Sequence, residues 1–209
     1  MQSGFGINSL NRIANVVKKI KSYLFFLRHV PIRVGFKKVG IYTHIDKRYV
    51  SIVGAEYIEI GNGCNINANL RIEAISKYKD KCYRPTIIIE DNVYINQNFH
   101  CTCASSIIIG KGTSITANCG IFDIIHPYKD ICSNPRENEI KTSPIRIGKN
   151  CLIGMNSVIL PGVILGDHVI VGANSTVTSG IYPSNCVLCG SPAKIIKMFD
   201  SNSKEWTSL

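Results

Sequence analysis

The chain carries five histidines, His29, His44, His100, His126 and His168, and His126 stands where chemistry is easiest to build. It opens the run His126-Pro127-Tyr128-Lys129-Asp130, the start of a long polar stretch, so its imidazole would sit at the edge of a cleft. Imidazole is the side chain best suited to take a proton from an attacking hydroxyl or amine near neutral pH. A plain loop residue is the alternative. His29 and His44 fall in a basic arm, and His168 sits at a turn in Gly166-Asp167-His168, where polar residues are ordinary. Two cysteine pairs offer a second chemistry: Cys101 with Cys103, and Cys186 with Cys189. Together they supply four sulfurs, but the pairs are 83 residues apart and no histidine cluster accompanies either. Structural zinc sites want tighter, knuckle-like spacing, so no metal is expected.

The element that must position His126 is written in a ladder of period six: Ile147, Ile153, Ile159, Leu165, Val171 and Val177. No helix has that period and an ordinary strand repeats by two. Gly148, Gly154, Gly166 and Gly172 follow four of the rungs, and a small or aliphatic column runs through Cys151, Ser157, Val163, Val169 and Ser175. This is the pattern of a β-helix, in which short strands and tight turns stack coil upon coil. The same register returns in Ile60, Ile66 and Ile72, in Ile89 and Ile95, and in Ile109, Ile115 and Ile121. Between these pieces, residues 74–86 and 124–144 are polar, charged and proline-bearing, and are expected to be loops extruded from coils. Loops of that length in a compact domain are usually functional or disordered. A solenoid interior is too narrow for a pocket, so chemistry must come from such loops and from the outer faces. Cys64, Cys119 and Cys151 fall at the small corner position and read as buried apolar residues.

Charge divides the chain. Residues 1–48 hold ten Lys or Arg against one acid, Asp46, which is nearly all of the net charge of +10. Ile13, Val16, Val17, Ile20, Leu24 and Leu27 fall at helical spacing, so about Ser9 to His29 is expected to be an amphipathic basic helix. Such a helix either caps the open first coil or lies on an anionic membrane surface. A nucleic-acid role is disfavoured, because the solenoid itself is nearly neutral. The expected organisation is a basic arm at 1–50, a β-helix at 51–182 and a C-terminal segment at 183–209. No apolar run is long enough to span a membrane, and the N-terminus lacks the pattern of a secretory signal. Nine cysteines then suggest a reducing, cytoplasmic setting.

The ladder, the segment Ile121-Phe122-Asp123-Ile124-Ile125-His126-Pro127 and the closing Gly190-Ser191-Pro192-Ala193-Lys194 together resemble the hexapeptide-repeat acyltransferases. Within them the chain is similar to the galactoside and maltose O-acetyltransferases and their relatives in capsule and lipopolysaccharide modification. The resemblance spans about residues 52–198. It implies a left-handed β-helix, a homotrimer and acetyl-CoA as donor.

The resemblance also implies roles. His126 matches the general base, and Asn96 the asparagine that hydrogen-bonds an acceptor sugar. Asn96 equally suits a solenoid corner, where Asn tolerates left-handed backbone. Asp123 matches an aspartate three residues before the base, which would hold the imidazole tautomer or simply be a turn residue. His100 is a further polar group for the cleft. Met155, Ala173 and Thr178 match positions that contact the pantetheine arm, with the Met155 N–H facing the thioester carbonyl. Lys194 and Lys197 match basic residues that meet the coenzyme phosphates. Leu152 departs from the family, where many members have Trp.

A serine acetyltransferase would need a long N-terminal helical domain, and a γ-class carbonic anhydrase three metal-binding histidines on neighbouring coils. The function expected is acetyl-CoA-dependent O-acetylation of a sugar hydroxyl in surface-polysaccharide biosynthesis. N-acetylation of an amino nucleotide-sugar and a non-catalytic scaffold stay open as alternatives.

Overall fold

A computed structural model describes residues 15–17, 19–20, 33 and 35–209. The chain divides into two compact units, Met1–Val34 and Gly35–Leu209. In the first, residues 15–17 and 19–20 are helical, with Val16, Val17 and Ile20 exposed. The remainder of the amphipathic helix expected over residues 9–29 lies outside the described residues.

The second unit is a stack of seven coils with three faces, one parallel sheet to each face. The first face runs from Lys38–Val39 through Ile58–Ile60, Thr86–Ile89, Ser106–Ile109, Ile145–Ile147 and Val163–Leu165 to Gly180–Tyr182. The second runs from His44–Ile45 through Asn65–Ile66, Tyr94–Ile95, Ser114–Ile115, Leu152–Ile153 and Ile170–Val171 to Cys186–Gly190. The third runs from Ser51–Val53 through Arg71–Ala74, His100–Cys103, Gly120–Phe122 and Val158–Ile159 to Thr176–Val177. The fold is a left-handed parallel β-helix. At its C-terminal end the strands Ala193–Asp200 and Glu205–Ser208 turn antiparallel and widen the second sheet.

Period six is the width of one face, so each rung meets its like one coil on: Ile147 with Leu165, Ile153 with Val171, Ile159 with Val177. All six side chains are buried. Burying one such side chain stabilises the fold by about 1.5–3 kcal/mol, and the columns run the length of the stack. Cys101 fills the rung between Ile72 and Ile121. Corner thiols are spent locally: Cys64 Sγ donates to the Glu90 carbonyl at 3.1 Å and Cys119 Sγ to that of Gly154 at 3.2 Å. Burial raises both thiol pKa values, which keeps them as inert thiols.

Two devices turn the corners. A Cβ on Gly148 would stand 2.2 Å from the Gly166 carbonyl oxygen, so the coils can approach this closely only through glycine. Between the second and third faces, Asn69, Asn98, Asn118, Asn156 and Asn174 all hold positive φ. Their carboxamides stack into a ladder, each Nδ2 donating to the next Oδ1 at 2.7–2.9 Å. Asn adopts this left-handed backbone at little cost and its amide joins successive coils.

The first coil begins inside the basic arm: Lys38–Val39 and His44–Ile45 pair with the second coil, ahead of residue 51. Val39, Ile45 and Ile52 align with Ile60, Ile66 and Ile72. The charges project outward, where Arg48 pairs with Asp46 and Lys37 with Glu59, each at 2.8 Å.

Candidate active site

Each of the two loops leaves the stack at the corner between the third and first faces. The earlier one forms a hairpin, Lys77–Tyr78 against Lys81–Cys82. The later one is closed at its base by Ile124–Ile125 pairing with Lys141–Thr142, and His126 is the first residue beyond that closure. The two loops lie along one another. Tyr78 Oη donates to the Arg136 carbonyl at 2.7 Å, Lys79 Nζ to that of Glu137, and Tyr83 Oη to that of Ile140 at 3.1 Å. Lys81 Nζ meets Glu139 Oε2 at 2.8 Å.

His126 is half-buried in this arrangement. Its ring stands edge-on to Tyr78, centroids 5.6 Å apart at 65°. Its Nδ1 is buried with no hydrogen-bond partner among the described residues.

Asp123 has a different task from the one expected of it. Its carboxylate is fully buried and accepts the N–H of Ala104 at 2.8 Å, of Ser105 at 2.8 Å and of Ser106 at 2.9 Å. The Cys103 thiol donates to the same carboxylate at 3.2 Å, and burial together with that negative charge pushes the thiol pKa well up. The Asp123 carbonyl also accepts the Ser143 N–H at 2.9 Å, where the loop returns. Asp123 therefore ties the base of the His126 loop to the preceding coil, and no hydrogen bond joins it to the imidazole among the described residues.

Asn96 stands at the opposite corner, between the second and third faces, where its Oδ1 accepts from Asn67 Nδ2 at 3.0 Å. The third face between Asn96 and the His126 loop, Phe99 to Cys103, is about 13 Å of extended chain. One copy of the chain does not bring the two residues together. Across the face lie Arg71, Glu73, His100 and Thr102 in register, with Phe122 beside them. His100 Nε2 is 3.1 Å from Thr102 Oγ1 and its ring meets the edge of Phe122 at 4.9 Å. Burial lowers the His100 pKa, the Arg71 guanidinium adds to that, and Glu73 opposes it.

Met155 and Ala173 share the Asn96 corner, farther up the stack. Their neighbours Asn156 and Asn174 carry the coil-to-coil bonds, donating to Ala117 O and Met155 O. Both turns are exposed. Gly154 permits this packing, since a Cβ there would lie 2.5 Å from the Ala173 nitrogen. Lys194 and Lys197 are exposed on the strand Ala193–Asp200 at the end of the same sheet. Thr178 lies at the other corner, its carbonyl accepting from Tyr182 Oη at 2.9 Å. Leu152 is exposed on the outer surface of the second face. A groove of about 220 Å³ lined by Lys38, Glu59, Ile88, Asp91 and Lys111 opens on the first face and includes none of these residues.

Three neighbours of the candidate residues were not legible in the sequence. Arg71 and Glu73, paired at 2.9 Å, join His100 only because coils stack at that register. Tyr78 reaches His126 across 48 residues of chain, and only the unusual length of its loop hinted at a role.

Residues 144–179 match the family model described as the hexapeptide repeat of succinyl-transferase. WbbJ of Escherichia coli strain K12, whose name assigns it to lipopolysaccharide biosynthesis as an O-acetyl transferase, is 34% identical over 156 residues. That match takes in 71% of this chain and 76% of WbbJ. The chain belongs to the hexapeptide-repeat acyltransferases. Among solved structures it is similar to the hexapeptide-repeat-containing acetyltransferase VCA0836 of Vibrio cholerae, with a TM-score of 0.59 and 22% identity, over 95% of this chain and 96% of that one. It is also similar to AntD, an N-acyltransferase of Bacillus cereus solved with dTDP-4-amino-4,6-dideoxyglucose and coenzyme A, with a TM-score of 0.69 and 21% identity. That likeness covers 84% of this chain and 91% of AntD. At such identities the two structures speak for the fold.

Proposed function

We propose that the protein is an acetyl-CoA-dependent O-acetyltransferase of a sugar hydroxyl in surface-polysaccharide biosynthesis, lipopolysaccharide or capsule. The observation that carries this is the relationship to WbbJ over most of both chains. The acceptor oxygen attacks the thioester carbonyl while His126 takes its proton. The C–O bond forms, the C–S bond breaks, and the proton passes from His126 to the departing coenzyme thiolate. No acyl-enzyme is formed. The Met155 amide is the donor for the developing oxyanion, where a fixed N–H has its largest effect. Ala173 and Thr178 line the pantetheine arm, and Lys194 and Lys197 meet the phosphates, where proximity of an ammonium suffices.

The working form is a homotrimer, with Asn96 of one copy facing His126 of the next. The placement of these residues on opposite corners of one face supports this. The basic N-terminal arm holds the enzyme at the inner face of an anionic membrane. No helix among the described residues is long and apolar enough to cross a bilayer, and the concentration of positive charge in the arm supports attachment from the surface. Binding to anionic vesicles that fades with salt is the expected behaviour.

The decisive experiment is mass spectrometry of surface glycans from cells with and without the gene, complemented by wild type or by His126→Ala. One acetyl group per repeat should vanish with the gene and return only with wild type. Loss of His126 is expected to lower transfer by roughly 10²–10⁴-fold. Unchanged glycans, with transfer instead to an amino nucleotide-sugar, would replace O-acetylation by N-acetylation.

A further inference from the structure

The hairpin at Lys77–Cys82 has no part in the coil ladder, yet its contacts follow a pattern. Tyr78 meets Arg136, Lys79 meets Glu137, Lys81 meets Glu139 and Tyr83 meets Ile140, so partners are separated by 57 or 58 residues throughout. The near-constant offset means that successive residues around the hairpin meet successive residues of the returning arm of the His126 loop. Three of the four contacts are made to backbone carbonyls. They fix the path of the loop whatever its side chains. At the Tyr78 end of this seam, the tyrosine ring closes on His126.

No hydrogen bond among the described residues orients the imidazole. Asp123 is committed to the amides of residues 104–106. The buried Nδ1 has no partner among the described residues. An imidazole held by no hydrogen bond must be held by packing, and an edge-on aromatic ring supplies packing with a preferred geometry. The Tyr78 hydroxyl donates to the Arg136 carbonyl, which joins the hairpin to the returning arm of the loop.

We propose that Tyr78 is the positioning residue for His126: the first extruded hairpin is a buttress that holds the imidazole of the second loop in its reactive orientation. This rests on the reading of His126 as the general base. The hairpin then takes the place of the aspartate that was expected to set the ring. Misplacing a reacting group by an ångström costs on the order of 100-fold in rate, so Tyr78→Leu should lower glycan acetylation by roughly 10- to 100-fold.

A second readout needs no acceptor. Diethyl pyrocarbonate acylates accessible imidazole, and the rate at His126 is followed by mass spectrometry of the peptide that contains it. Tyr78→Leu should raise this rate several-fold while melting temperature and acetyl-CoA affinity stay at wild-type values. Tyr78→Phe keeps the ring and loses only the hydroxyl, so it should restore both the slow rate and most of the transfer. If Tyr78→Leu does not fold, Tyr78→Phe carries the test: a wild-type labelling rate with transfer retained supports the proposal, and rapid labelling overturns it. Wild-type transfer and labelling in a folded Tyr78→Leu also overturn it. The two readings fail separately. Transfer by His126→Ala would remove the base, whereas full activity of Tyr78→Leu beside an inactive His126→Ala removes only the buttress.

Discussion

The Asp123 carboxylate accepts the Ala104 N–H at 2.8 Å, joining the exit of the fourth coil to the turn that ends the third. Ser105 and Ser106 donate to the same group, so one buried side chain satisfies three backbone amides. Removing it leaves those donors without partners, at about 1–3 kcal/mol for a buried unsatisfied group. Asp123→Ala is therefore expected to lower the melting temperature by several degrees and to loosen the His126 loop. Calorimetry checks the first, and hydrogen exchange at the Ser105 and Ser106 amides the second. A variant with wild-type melting and protection would show that this carboxylate is dispensable to the fold.

Lys194 and Lys197 lie exposed on the strand Ala193–Asp200, and their proposed partners are the coenzyme phosphates. Solvent-exposed ion pairs contribute about 0.2–1 kcal/mol, so each change to alanine should weaken acetyl-CoA binding by no more than roughly fivefold. Titration calorimetry at two salt concentrations checks this. The difference between wild type and variant should shrink at high salt, because screening removes what the charge supplied.

The sequence shows the stack far better than it shows the site, for a physical reason. A buried rung must be aliphatic or small, and Ile147 through Val177 repeat without interruption, so the period survives in the letters alone. Cys101 broke that reading only because a thiol stood where an isoleucine was sought. The first coil was concealed by charge: Val39 and Ile45 keep the spacing of six, but Lys37, Lys38, Lys47 and Arg48 around them drew the region into the arm. The place of His126 at the mouth of a loop was legible. The partners of His126 and Asp123 were not, since loop-to-loop docking follows no period. Asp123 has the right type and offset to orient an imidazole, and only its three amide donors reveal its different role.

His100 makes acid sensitivity testable. Its pKa lies below the ordinary 6.5, chiefly through burial and then through the Arg71 charge. The unfolded chain thus binds this proton more readily than the folded one, and stability falls as pH drops below about 6.5 towards the folded value. Above that window the imidazole is neutral in both states and contributes no slope. His100→Gln should flatten the dependence of melting temperature on pH below about 6.5. An unchanged slope in the variant would assign the acid sensitivity to other groups.

The separation of Asn96 from His126 across the third face leads to a test of the assembly itself. A site that needs both must borrow one from a second copy, and closed rings of identical copies do this at every interface. The protein should sediment at three times the mass of its 23.1 kDa chain at micromolar concentration. His126→Ala and Asn96→Ala should each be inactive alone. Refolded or co-expressed together in equal amounts, they form mixed rings in which about one quarter of the interfaces pair an intact His126 with an intact Asn96, so a similar fraction of activity should return. If both residues serve a site within one chain, mixing restores nothing, because every chain then carries a defect. Recovery near one quarter, measured as acetyl transfer per chain against wild type, places the two residues on different subunits.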